Sequence, residues 1–125
     1  MYLLLDNSSA QEISIYLWLN NKWVQYIYPT GTDSLVAVID KCLQAEKCTL
    51  KDLEGIAVLI GKGSFTSTRI AVTVANTLSY VLGVPVVSTT SVEDANLIAK
   101  IKNANKGVLV SAVYSGEPNI GKKRT

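Results

Sequence analysis

The stretch IGKGSFTSTRIA, residues 60–71, sets a lysine between two glycines, follows it with hydroxyls and runs into a helix-forming sequence. A strand, a glycine-rich turn and a helix N-terminus can hold an anion, because amide hydrogens and the helix dipole both point outward there. Gly61, Lys62, Gly63, Ser64 and Thr66 are therefore a candidate anion-binding loop. The specific phosphate codes nevertheless fail. A Walker A loop needs a glycine five residues before its Gly-Lys-Ser/Thr triplet, whereas here Gly63 follows Lys62 and Ile56 stands upstream. The dinucleotide pattern fails at its third glycine, which is Thr66. The residues favour a structural role, in which the glycines turn the chain, Ser64 or Thr66 caps the helix, Phe65 plugs the core and Lys62 is solvated.

Asp6, at the end of the first apolar run, is the other group that could do chemistry. A carboxylate there can position a magnesium ion and its waters, or it can cap the turn formed with Asn7 and Ser8, and the turn fits better. A two-metal nuclease would need further carboxylates converging on Asp6, and Glu12, Asp40 and Asp94 show no such pattern. The chain has no histidine, and its two cysteines, Cys42 and Cys48, lie six apart. Neither a zinc site nor a Cys-His or Ser-His pair can be assembled from it. No catalytic residue, metal site or cofactor is expected.

With 125 residues the chain is one domain, large enough for a core. Apolar residues make up 48% and charged residues 18%. That charge-poor surface leads us to expect some apolar area that meets a partner. Lys122, Lys123 and Arg124 account for the net charge of +2, leaving nine basic against ten acidic residues in the body. A domain that tracks nucleic-acid phosphates concentrates lysine and arginine on one face, so this one is expected to meet RNA only indirectly. The opening MYLLLDNSS is too short for a signal core, and a cytoplasmic protein with reduced thiols and no membrane contact is expected.

Stepping along the chain, YLLL at residues 2–5 and the period-two run EISIYLWL at 12–19 read as strands. Asn20 and Asn21 form a tight turn to a returning strand, KWVQYIY. Thr32 or Asp33 caps an amphipathic helix running to about Lys47. IAVLI at 56–60 is a strand buried on both faces. A helix spans Thr66 to Leu82 and ends at Gly83 in a left-handed cap, before the strand VPVVS. Ser91 with Asp94 opens a third helix, SVEDANLIAKIKN, and GVLVSAVY at 107–114 closes as a strand. The order predicts a mixed-sheet α/β domain of the actin-like or ribonuclease H-like half type over residues 1–115, followed by a polar basic tail, 116–125.

The helix behind the loop is the main candidate surface. Ile70, Val74, Leu78 and Val81, with Ala71, Ala75 and Leu82, form its predicted apolar face, and Thr73, Asn76, Thr77 and Tyr80 the opposite one, with Arg69 its only charge. A face of small neutral groups and one tyrosine, without lysine or glutamate, suits a surface covered by another helix. Arg69, Thr73, Asn76, Thr77 and Tyr80 are the candidate partner-binding residues.

Residues 61–94, GKGSFTSTRIAVTVANTLSYVLGVPVVSTTSVED, resemble the signature of the TsaB/YeaZ family through Gly-x-Gly-Ser-Phe-Thr-x-x-Arg, and LLLDNSS at the start is similar to that family's Ile-Asp-Thr-Ser. Lys62 stands where the family has proline, and Ser67 and Ala71 where it has glycine. The resemblance implies an N-terminal actin-like half-domain only, in a non-catalytic partner of the TsaD-type threonylcarbamoyl transferase that makes threonylcarbamoyladenosine (t6A) in tRNA. It also implies a helical bundle formed with that transferase or with a second copy, and a TsaE-type ATPase in the complex. The alternative is a nucleotide-binding actin-like ATPase or sugar-kinase-like half, completed by another chain. A plain RNA-binding module using the GKKRT tail is a weaker rival, since three charges without interleaved aromatics give weak, salt-sensitive contact.

Overall fold

The computed structural model describes residues 1–31 and 33–111. Strands β1 (Tyr2–Asp6), β2 (Glu12–Leu19) and β3 (Lys22–Pro29) are antiparallel neighbours, as expected from the apolar run of β1, the alternation of β2 and the turn between β2 and β3. Asn20 and Asn21 take the two turn positions at φ 52° and 63°. Asparagine accepts this left-handed backbone more readily than other residues with a Cβ, so the register Leu19↔Lys22 follows from the turn. β4 (Gly55–Leu59) lies parallel to β1, and β5 (Val86–Thr89) parallel to β4, giving the order β3-β2-β1-β4-β5.

The two central strands are buried on both sides, which is why their sequences are continuous apolar runs rather than alternating ones. Leu3, Leu5, Ile56 and Val58 face helices α1 (Leu35–Ala45) and α2 (Phe65–Leu82), while Leu4 and Ala57 face Leu97 and Ile101 of α3 (Leu97–Asn103). Gly55 lets α3 close in, since a Cβ there would run into the Ile101 side chain. This mixed sheet with helices on both faces has the expected actin-like, ribonuclease H-like layout.

Three local expectations are corrected. α1 is capped by Ser34, whose hydroxyl accepts from the Ala37 amide at 3.2 Å, while Asp33 pairs with Lys41 and Thr32 lies outside the described residues. α3 starts at Leu97 rather than Ser91, because side chains ahead of it satisfy the backbone in turns. The Ser91 hydroxyl accepts from the Glu93 amide, and the Asp94 carboxylate accepts from the Asn96 amide and holds Lys100 at 2.6 Å. Residues 107–111 carry no strand. The rest of the expected last strand, the boundary at 115 and the basic tail lie outside the described residues.

Candidate functional site

The glycine loop is built against the end of β1. Gly61 and Gly63 both sit at φ 80°, and a Cβ on Gly63 would lie 2.6 Å from the Ser8 carbonyl oxygen and 2.7 Å from its Cα. Only glycine fits that approach. The Asn7 side-chain Nδ2 donates to the Ser67 carbonyl at 3.1 Å, and the Thr68 hydroxyl donates to the Lys62 carbonyl at 3.1 Å. Asp6 turns back on its own loop, accepting from the Ser8 amide at 3.0 Å and the Ser8 hydroxyl at 2.5 Å. Ser64 is the cap of α2, its hydroxyl accepting from the Ser67 amide at 3.0 Å, and Lys62 and Thr66 are exposed. Phe65 does not plug the core: it is 52% exposed, in the first turn of α2 before the first buried position, Thr68.

α2 is rotated from its expected orientation. Its buried line is Thr68, Ala71, Val72, Ala75, Leu78 and Ser79. The two hydroxyls are tolerated inside because each has a carbonyl, that of Lys62 for Thr68 and that of Val84 for Ser79 at 2.5 Å. Ile70 and Val81, expected inside, are 46% and 70% exposed, and Tyr80 is 82% exposed. Arg69, Thr73, Thr77 and Tyr80 share this outer face. The Thr77 hydroxyl donates to the Thr73 carbonyl at 2.8 Å, which occupies its only donor within the helix. Asn76 is set apart from them: it is half-buried and its side-chain amide is bonded to the Val110 backbone. A groove of ≈ 320 Å³ on the outer face is lined by Phe65, Thr66, Arg69, Ile70, Thr73 and Val74.

The alanines carried the signal that the pattern of aliphatics obscured. Helices pack on a sheet most closely where side chains are small, so Ala71 and Ala75 mark the centre of the buried stripe and leave Ile70 and Val81 outside it.

A second concavity, ≈ 450 Å³, opens where the N-termini of α1 and α2 converge beside the end of β1. Its walls include Ser8, Ser9, Ser34, Ser64 and Ser67, and among the described residues that line it Asp33 is the only charged one. The other carboxylates considered with Asp6 are scattered over separate elements: Glu12 opens β2, Asp40 sits on α1 beside Gln44, and Asp94 precedes α3. Among the described residues no three His, Cys, Asp or Glu side chains gather as a metal site, and no helix is long and apolar enough to cross a membrane.

Residues 32–116 match the family model described as TsaD: tRNA N6-adenosine threonylcarbamoyltransferase. The tRNA N6-adenosine threonylcarbamoyltransferase of Geotalea uraniireducens is 25% identical over 114 residues, covering 91% of this chain and 33% of that protein. The tRNA threonylcarbamoyladenosine biosynthesis protein TsaB of Buchnera aphidicola subsp. Schizaphis graminum is 37% identical over 92 residues, covering 69% of this chain and 44% of that protein. Among solved structures, YeaZ from Pseudomonas aeruginosa superposes with a TM-score of 0.65 at 24% identity, over 79% of this chain and 49% of that one. The chain therefore spans less than half the length of each of these three proteins. The likeness to TsaB and YeaZ read from residues 61–94 is borne out.

Proposed function

We propose that this chain, which belongs to the family described as TsaD: tRNA N6-adenosine threonylcarbamoyltransferase and is 37% identical to a TsaB protein over 92 residues, acts in tRNA threonylcarbamoyladenosine biosynthesis as a scaffold that docks a TsaD-type transferase through the outer face of α2. No bond is made or broken by its own side chains. The reading is carried by one observation: an 18-residue helix turns Phe65, Ile70, Tyr80 and Val81 outward with Arg69 as its single charge. Burying one such side chain is worth about 1.5–3 kcal/mol, and tyrosine at the centre of a patch is a common anchor of interfaces. Thr73 and Thr77 between them let a partner helix come close, so helices of both chains pack as a bundle. The same face serves a second copy when the transferase is absent. A TsaE-type ATPase joins the complex, and tRNA is met through the transferase, because one arginine is a poor grip on phosphates.

The double variant Thr77→Glu/Tyr80→Glu tests this by placing two charges on the docking face. Co-purification with the organism's own TsaD-type transferase is expected to disappear while the far-UV circular dichroism stays unchanged. Undiminished co-elution would sink the proposal.

A second reading draws on the hydroxyl-lined cleft at the two helix N-termini. There the chain is one half of a nucleotide site completed by another chain; of the loop residues Gly61, Lys62, Gly63, Ser64 and Thr66, Ser64 lines that cleft and the other four do not. The closure of Asp6 on Ser8 weighs against it.

A further inference from the structure

Asparagine is a poor residue for the middle of a helix, because its side chain competes for backbone groups. Asn76 stands in the second half of α2, and its carboxamide is engaged at both ends. Its nitrogen donates to the Val110 carbonyl at 2.9 Å and its oxygen accepts from the Val110 amide at 2.9 Å. One side chain thus gives Val110 the pair of bonds that a neighbouring strand would give. Val110 packs on the core cluster, while Val108 and Leu109 beside it are 61% and 53% exposed. On the helix, Asn76 lies one turn from Thr73 and from Tyr80. The clamped segment therefore runs along the flank of the outer face.

We infer that Asn76 is a positioning residue that clamps residues 108–111 onto α2, so that Val108 and Leu109 form the second half of the docking face for the TsaD-type transferase. The inference rests on the docking proposal and deepens it. The face so extended sets Val108 and Leu109 beside the flank of α2 that carries Asn76 and Tyr80, and Gly107, Val108, Leu109, Val110 and Ser111 add no charge to it. Such a surface fits the apolar face of a folded protein and offers nothing to nucleic-acid phosphates or to a strongly charged segment. Asn76 ties the segment to the edge of the α2 face, so one partner covers both. Transferases of the same family carry the matching domain and can offer an equivalent helix.

The test is a double-mutant cycle on the full chain, titrated calorimetrically with the full-length transferase. Leu109→Glu is expected to weaken binding by ~10-fold or more, as truncation or charging of an interface anchor does, with an unchanged melting temperature because the side chain is largely exposed. Asn76→Ala is expected to weaken binding and to speed hydrogen exchange at the Val110 amide. If Asn76 acts through the segment, Leu109→Glu costs less than ~2-fold more in the Asn76→Ala background, since coupled residues are not additive. Fully multiplying effects would reduce Asn76 to a merely structural residue and overturn the inference. Wild-type affinity in Leu109→Glu overturns it too, and Tyr80→Glu separates the two ideas: lost binding there leaves the docking proposal standing, whereas retained binding removes both.

Discussion

Alanine at Gly63 decides between a loop shaped for packing and a loop shaped for a ligand. Two costs fall on that substitution. The backbone at φ 80° is left-handed, which costs a residue with a Cβ about 1–2 kcal/mol. The new methyl would also meet three backbone atoms of Ser8, at 2.6, 2.7 and 3.0 Å. Ser8 cannot give way easily, because its amide is held by the Asp6 carboxylate and the adjacent Asn7 is tied to Ser67. Overpacking of this kind adds roughly 1–3 kcal/mol. Gly83→Ala is the matched control: its φ of 68° carries the conformational cost, but nothing lies within 4 Å of the added methyl. Gly63→Ala should therefore lose about 1–3 kcal/mol more than Gly83→Ala, which at a urea slope of ~1–3 kcal/mol/M lowers the unfolding midpoint by about a further 1 M. Equal midpoints for the two variants would refute the reasoning. They would mean that the absence of a side chain at position 63 serves something other than the contact with Ser8.

Two further outcomes are expected. Tyr26 is pushed from its ordinary 10.0 up to about 12 by its hydrogen bond to Glu46 and by burial, and Tyr28 up to about 12 by burial and its bond with the Cys42 thiol. Folding keeps both phenols protonated, so their contribution is complete below pH 10 and is lost as pH rises toward 12; urea midpoints should fall across that window and fall less in Tyr26→Phe/Tyr28→Phe. Calorimetry of the chain with magnesium-ATP is expected to give no saturable heat, in keeping with an Asp6 already closed on Ser8. Saturable binding abolished by Asp6→Ala would shift the weight to the nucleotide reading.

Where structure depends on local pattern, the sequence was a good guide. The alternation of residues 12–19, the Asn20-Asn21 turn, the twice-covered run of β4 and the left-handed Gly83 each have one local solution, and each was found. The errors lie where a local signal has two solutions. A serine followed by an acidic residue can open a helix or tie off a turn, and at Ser91 and Asp94 the turn won because each side chain found an amide two residues on. The apolar run after Gly107 reads as a strand, but a strand needs a neighbour. Val110 finds its partner in Asn76, a side chain 34 positions away that no window on the sequence contains.

The same ambiguity governs the candidate site. The aliphatic pattern of α2 predicts Ile70 and Val81 on its apolar face and Thr73, Asn76, Thr77 and Tyr80 opposite, and it gives no face to Thr68 or Ser79; a hydroxyl that reaches a nearby carbonyl costs little to bury, as these two do. Once those two turn inward, the helix rotates and Ile70 and Val81 must turn out. Thr77 goes further in the same direction, since its hydroxyl is occupied by the Thr73 carbonyl. The outer face is thus more apolar than its composition suggested. That raises the free energy gained when another protein removes it from water, because Ile70 and Val81 stand on the surface, where a partner helix can reach them.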